Sequence, residues 1–178
     1  MENYIYTIGH STHPIDKFIR ILKTYEVEQL VDVRTIPKSR ANPQFNEDAL
    51  KTSLEKEGIG YIRLQALGGL RHTTEASINT AWRNKSFRGF ADYMQTDDFQ
   101  NGIEELMELA KKKQTVIMCA ESVPWRCHRS LIGDALLARG FQVEDIMGEK
   151  SSRAHTLTPW AKVNGIRVTY PSATDTPE

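Results

Sequence analysis

Both cysteines of this 178-residue chain lie in one stretch, residues 119–129, together with a glutamate, a histidine and two arginines. Cys127 is flanked by Arg126, His128 and Arg129, directly before an apolar pattern typical of a helix. A helix N-terminus and neighbouring cations stabilise a thiolate and lower the pKa of a thiol. The pattern therefore predicts that Cys127 is a nucleophile or a redox thiol, with proton transfer by Glu121 or His10. Cys119 ends an apolar strand, where a lone cysteine is usually a small core residue.

Three other loops carry groups that bind anions. Backbone amides and hydroxyls at the start of a helix hold anions, and arginine binds phosphate through two parallel hydrogen bonds. The predicted substrate-binding residues are Ser11, Thr12, Arg34, Ser39, Arg40, Gly68, Gly69, Arg71, His128 and Arg129. Each loop also has a purely structural interpretation. The loop at 9–13 could be a helix cap, the loop at 34–40 an ion pair between Asp32 and Arg34 followed by a charged surface loop, and the loop at 67–71 a plain glycine turn.

The elements that position these groups follow from the alternation of short apolar runs with helical spacing. Strands are predicted over residues 4–8, 29–34, 59–64, 115–119 and 141–146, with helices between them. Such alternation predicts a three-layer α/β/α domain with a mostly parallel sheet. In such sheets ligands bind beyond the carboxyl ends of the strands. That rule places loops 9–13, 34–40, 67–71 and 120–129 on one rim.

Composition limits the function classes. The formal net charge is zero, so nucleic-acid binding would need a local basic patch. No apolar run approaches the ~20 residues of a membrane span, and the first residues do not form a signal peptide. We therefore expect a cytoplasmic protein with free thiols and no membrane contact. One domain is predicted over residues 1–171, followed by a disordered tail at 172–178. The sequence carries no signal of an oligomeric state.

Several motifs together resemble a known family. They are Thr7-Ile-Gly-His-Ser-Thr12, Asp32-Val-Arg34 with Pro37-x-Ser-Arg40, Asn42-Pro-Gln-Phe45, Leu67-Gly-Gly69 with Arg71, residues 87–94, Cys119-Ala-Glu121 and residues 124–129. Over about residues 4–171 the chain resembles the bacterial and archaeal proteins grouped as domain of unknown function 488. The resemblance implies a compact α/β/α domain and a site on this rim, and it implies no reaction.

Three functional hypotheses follow. The first is an enzyme with a cysteine-containing, arginine-rich pocket for a phosphate-bearing substrate, such as a nucleotide or a nucleic-acid end. The second is a non-catalytic module that binds a nucleotide or nucleic acid through the same arginines. Aromatic and basic residues alternate over residues 82–88, a pattern that could stack bases but is more often an ordinary helix face. The third and weakest is a zinc protein with Cys119, Cys127, His128 and His10 as ligands, although this spacing matches no compact zinc motif. No cofactor is predicted.

Overall fold

The computed structural model describes residues 3–172, in which strands and helices alternate along most of the chain. The strands are β1 (Tyr4–Gly9), β2 (Gln29–Asp32), β3 (Gly60–Arg63), β4 (Thr115–Cys119), β5 (Gln142–Gly148), β6 (Ser151–Ala154), β7 (Lys162–Asn164) and β8 (Arg167–Thr169). The helices are α1 (Ile15–Thr24), α2 (Glu47–Glu55), α3 (Lys85–Tyr93), α4 (Asp97–Lys112) and α5 (Arg129–Ala138). Short 3₁₀ turns form at Pro43–Phe45, Gln65–Leu67 and Pro124–Arg126.

Six strands form one sheet in the order β3-β2-β4-β1-β5-β6. All neighbours are parallel except β5 and β6. Val31 and Ile117 face a core shared with α3, α4 and α5, whereas Leu30 and Val116 face a core shared with α1 and α2. Both faces of the central strands are therefore buried, as parallel sheets require. The predicted three-layer α/β/α domain with a mostly parallel sheet is confirmed.

The order of the strands creates a crevice at one edge of the sheet. β4 lies between β1 and β2. The loops after β1 and β2 lead to α1 and α2 on one face, while the loop after β4 leads to α5 on the other. Neighbouring loops that diverge to opposite faces leave a gap between them, and this is where open α/β sheets bind ligands.

The segment after residue 150 contains more regular structure than its polar sequence suggests. β6 extends the sheet, and β7 pairs with β8 as a separate hairpin. The segment is anchored by Val168 and by Tyr170, whose hydroxyl donates a hydrogen bond to the carboxylate of the buried Asp134 (2.7 Å). Of the tail predicted at 172–178, all but the first residue lies outside the described residues.

Within residues 3–172, no helix has the length and apolar content needed to cross a membrane.

Candidate functional site

A cavity of about 560 Å³ opens at the carboxyl edge of β1, β2 and β4. All four loops predicted to share a rim contribute to its wall. The predicted residues that line it are His10, Ser11, Thr12, Arg34, Ser39, Gly69, Glu121, Cys127 and His128. The loops were therefore placed correctly by the rule for parallel sheets.

The structure places the other four predicted residues outside the lining of this cavity. Arg40 is an exposed residue of the loop after β2. The carbonyl of Gly68 accepts a hydrogen bond from Arg71 Nε (3.1 Å). The Arg71 guanidinium lies 3.6 Å from the centre of the Tyr93 ring and turns to an adjoining cavity. Two of its five N–H groups donate to carbonyls of the preceding loop, so Arg71 closes the turn after the 3₁₀ turn at Gln65–Leu67.

Arg129 lies in the core, contrary to the prediction that it contacts a substrate. Only 1 % of the residue is exposed. Its Nη2 donates to the carbonyls of Glu121 (3.1 Å) and Ser122 (2.9 Å), and its Nη1 donates to the hydroxyl of Thr7 (3.3 Å). Nε has no partner, and Arg129 forms no ion pair with any residue that the structure describes. Arg129 therefore positions the loop after β4 and is a buried cation that lacks a paired carboxylate.

The two thiols lie together beneath the cavity. Both cysteines are reduced and buried, their thiols influence each other's ionisation, and Cys119 Sγ contacts the carbonyl of Glu121 (3.5 Å). Cys127 Sγ also accepts the backbone N–H of Arg129 (3.5 Å) at the start of α5. Cys119 and Cys127 both line the cavity wall, although each is almost fully shielded from solvent.

The pKa values of the two thiols are shifted in opposite directions. Burial raises the pKa of Cys127, and the adjoining Cys119 sulfur raises it further. Burial acts on Cys119 too, but the hydrogen bond from Cys127 and the charge of Arg129 outweigh it and lower the pKa of the Cys119 thiol. The prediction that the pKa of Cys127 is lowered was therefore wrong. The stabilising charge and hydrogen bonds favour a thiolate at Cys119, at the end of β4.

His128 joins three loops and is neutral. Its Nε2–H points between the carbonyls of Val33 (3.0 Å) and Leu67 (2.9 Å), which leaves Nδ1 as the acceptor, 3.5 Å from Cys127 Sγ. Burial lowers the pKa of His128 to about 4. The ring lies so close to Gly69 that a Cβ there would be 2.5 Å from Nδ1. His128 thus adds no positive charge to the cavity near neutral pH.

His10 and Arg34 form the opposite wall. The Nδ1–H of His10 donates to the carbonyl of Ser11 (2.8 Å), and the Nε2 of the same ring lies 3.4 Å from Nη1 of Arg34. Burial lowers the pKa of His10 to about 4, so the ring is neutral at pH 7. Arg34 also pairs with the buried Asp32 (2.7 Å), which confirms the structural ion pair among the alternatives. These contacts use three of the five guanidinium N–H groups, and two remain for a ligand.

Several polar groups on the wall were not among the predicted site residues. They are Thr35, Lys38, Asn42, Ser86, Ser122 and Arg126. Lys38 and Arg126 are the most important, because they are exposed cations next to the predicted residues Ser39 and Cys127. Both lie in loops that were predicted to form the rim, 34–40 and 120–129, and this position is the sequence signal that could have identified them.

No group of three or more histidine, cysteine or acidic side chains arranged to hold a metal ion occurs within residues 3–172. Zinc ligation through His10 Nε2 would displace the Nη1 group of Arg34, which lies 3.4 Å from that nitrogen.

Comparison with protein families gives one match. The family described as Domain of unknown function DUF488 matches residues 14–136, more than half of the chain. The chain belongs to this family. The DUF488 match contains Arg34, Glu121, Cys127 and His128, whereas β1 and His10 precede it. No significant match was found among curated proteins or among solved structures. Membership in DUF488 confirms the resemblance and assigns no activity.

Proposed function

We propose that this protein is an enzyme that uses a cysteine thiolate on an anionic, phosphate-bearing substrate. The observation that carries the proposal is the placement of Cys119 beside the unpaired buried cation Arg129, under a cavity with three further cations on its wall. A buried guanidinium with no carboxylate partner favours an anion close to it, and a thiolate is the nucleophilic form of cysteine. We assign the role of nucleophile to Cys119 in place of Cys127.

The cavity wall supports an anionic substrate. Arg34, Lys38 and Arg126 supply positive charge, and Glu121 is the one carboxylate among the lining residues. Arg34 is held rigidly by Asp32, so its two unused N–H groups are preorganised for two oxygens of one phosphate. Hydroxyls from three loops and from the first turn of α3 add hydrogen-bond donors around them.

The remaining polar groups either position other parts of the site or transfer protons. Cys127 donates its S–H to the Cys119 sulfur, and His128 ties its loop to the end of β2 and to the 3₁₀ turn after β3. Glu121 is exposed at the cavity and is our choice for moving protons. His10 has a pKa of about 4, so near neutral pH it acts as an acceptor for Arg34.

A non-catalytic binding module is the second candidate, and the burial of the sulfurs favours it. Cys119 is 2 % exposed and Cys127 is 5 % exposed. If both thiols only pack against the core, the same cations would bind a nucleotide without covalent chemistry.

Anion binding is tested by thermal denaturation with inorganic phosphate. At a concentration of 100 times Kd, binding adds about 2.7 kcal/mol, which raises Tm by roughly 5–10 °C for a domain of this size. Arg34→Ala should remove most of this rise. Lys112→Ala, on the C-terminal end of α4, should keep it. An equal rise in both variants would show a general salt effect and contradict the proposal.

The reactivity of the thiols distinguishes a catalytic function from binding alone. Saturating phosphate should slow alkylation of Cys119 by iodoacetamide, because the anion covers the cavity above the sulfur. Phosphate binding without any reaction of the folded thiols would favour the binding module.

A further inference from the structure

A small aromatic cavity lies next to the site. It has a volume of about 190 Å³, below the ~300–1,000 Å³ of an ordinary ligand pocket, so it fits one part of a larger ligand. Its wall includes three tryptophans, Trp82, Trp125 and Trp160. Trp125 is 53 % exposed and Trp160 is 45 % exposed, which is unusual for such large apolar side chains. The guanidinium of Arg153 lies 5.2 Å from the centre of the Trp125 ring.

A cationic cavity of about 550 Å³ also adjoins the site. Arg71, Lys85 and Arg88 line it, with Glu75 as its carboxylate. Lys85 is the first residue of α3 and is exposed, so its ammonium group is free to meet a ligand.

The three cavities adjoin one another. Ser86 lines both the cationic cavity and the candidate site. The consecutive residues Trp125 and Arg126 line the aromatic cavity and the candidate site respectively. A ligand that occupies the candidate site can therefore extend into a cationic cavity and reach exposed indole rings.

Charge along this path differs from that of the chain as a whole. The three cavities are lined by seven Lys or Arg residues and two Glu residues, although the chain has a formal net charge of zero. The cavity beside α1 is balanced by comparison, with Arg20 and Lys23 against Asp16 and Glu57. Positive charge is thus concentrated on the path that contains the thiols.

We propose that the three cavities together bind a single-stranded nucleic acid, with phosphates on the cations, bases on Trp125 and Trp160, and one phosphate over the thiols. This inference rests on the proposed function and names its substrate class. A groove of cations that tracks the backbone, combined with aromatic rings that stack bases, is how proteins bind single strands. A mononucleotide would fill only the central cavity. A duplex keeps its bases paired and stacked, so they cannot reach the tryptophans.

Fluorescence anisotropy with a labelled oligonucleotide of about ten nucleotides tests this proposal. Four exposed cations line the path, Lys38, Lys85, Arg126 and Arg153. If all four meet phosphates, log K falls with log[salt] with a slope of about −3, at ~0.7 per phosphate for single strands. Lys85→Ala should reduce the slope by about 0.7. Lys112→Ala, the matched lysine at the far edge of the sheet, should leave it unchanged.

The tryptophans are tested by substitution at both positions. Trp125→Leu and Trp160→Leu should each weaken binding about tenfold, because leucine keeps an apolar surface but cannot stack. Trp125→Phe should retain most of the affinity, since a ring remains. Circular dichroism confirms that each variant is folded.

Several results would overturn the proposal. They are unchanged affinity in both leucine variants, equal or tighter binding of a duplex of the same length, and equally effective competition by polyglutamate. If any of them occurs while phosphate still raises Tm through Arg34, the substrate class is wrong and the proposed function stands. If neither phosphate nor the oligonucleotide binds, both proposals fail.

Discussion

The buried His155 should give this protein a pH-dependent stability of a few kcal/mol. Its Nε2 lies 3.0 Å from Asp134 and its Nδ1 lies 3.3 Å from Asp145, and the side chain is 8 % exposed. Burial alone would lower the pKa of His155, but the hydrogen bonds and charges of the two carboxylates raise it to about 9. Asp145 also accepts a hydrogen bond from Thr7, which in turn accepts one from Arg129. The network therefore reaches the cation beside the thiols.

The magnitude follows from the difference between the folded and unfolded states. An unfolded histidine has a pKa near 6.5, so a folded value of about 9 stabilises the fold by about 3 kcal/mol. This stabilisation is fully present below pH ~6.5 and is lost as the pH rises through 9, because the folded state then also releases its proton.

Urea denaturation of wild type and His155→Gln between pH 6 and pH 10 measures this contribution. The difference in unfolding free energy between the two proteins should be about 3 kcal/mol larger at pH 6 than at pH 10. Thiols, tyrosines and lysines titrate in both proteins, so the subtraction removes their contribution. A difference that does not change with pH would refute the assignment of a charged His155 between the two carboxylates.

Three further changes test the packing around the site. Gly9→Ala should lower Tm by about 10 °C or more, because a Cβ there would lie 1.5 Å from the carbonyl oxygen of Glu121. Gly60→Ala, whose Cβ would meet the Gln29 side chain at an ordinary 3.6 Å, is the control and should shift Tm by only a few degrees at most, as followed by circular dichroism. Arg129→Met should reduce the unfolding free energy in urea by about 2–5 kcal/mol, because the two carbonyls it binds lose their donor; a neutral effect would refute its role in holding the loop. Tyr170→Phe should cost about 1–3 kcal/mol in the same assay through the lost hydrogen bond to Asp134, and an unchanged midpoint would contradict that contact.

The central architecture could be predicted because it depends on local patterns. The apolar runs at β2 and β4 place hydrophobic residues on both faces of each strand, as in Val116 and Ile117, and this is the mark of a buried parallel strand. Once the sheet is parallel, the loops after its strands must share an edge. The cavity wall follows from those two steps.

The direction of individual side chains could not be predicted in the same way. Arg129 and Arg126 are close in sequence, but Arg129 turns into the core to meet Thr7 and two carbonyls, whereas Arg126 lines the cavity. The choice between the two thiols likewise depends on contacts between a strand and a helix start, which sequence spacing does not contain.

The C-terminal strands were missed because they are short and polar. β6 is a four-residue strand with exposed side chains, and it pairs at the edge of the sheet through its backbone. Val168 and Tyr170 are the buried anchors of the last hairpin, and two apolar residues are too few to indicate a strand by alternation.

The most direct test of the thiolate assignment is the pH dependence of alkylation by iodoacetamide, read by mass spectrometry on Cys127→Ser and Cys119→Ser. In Cys127→Ser the serine hydroxyl can still donate to the Cys119 sulfur, so we predict that Cys119 reacts with an apparent pKa below the ordinary ~8.5. In Cys119→Ser the remaining Cys127 should react only at higher pH, because its thiol is buried and its pKa is raised. An apparent pKa at or above ~8.5 for Cys119, or a lower value for Cys127 than for Cys119, would contradict the account.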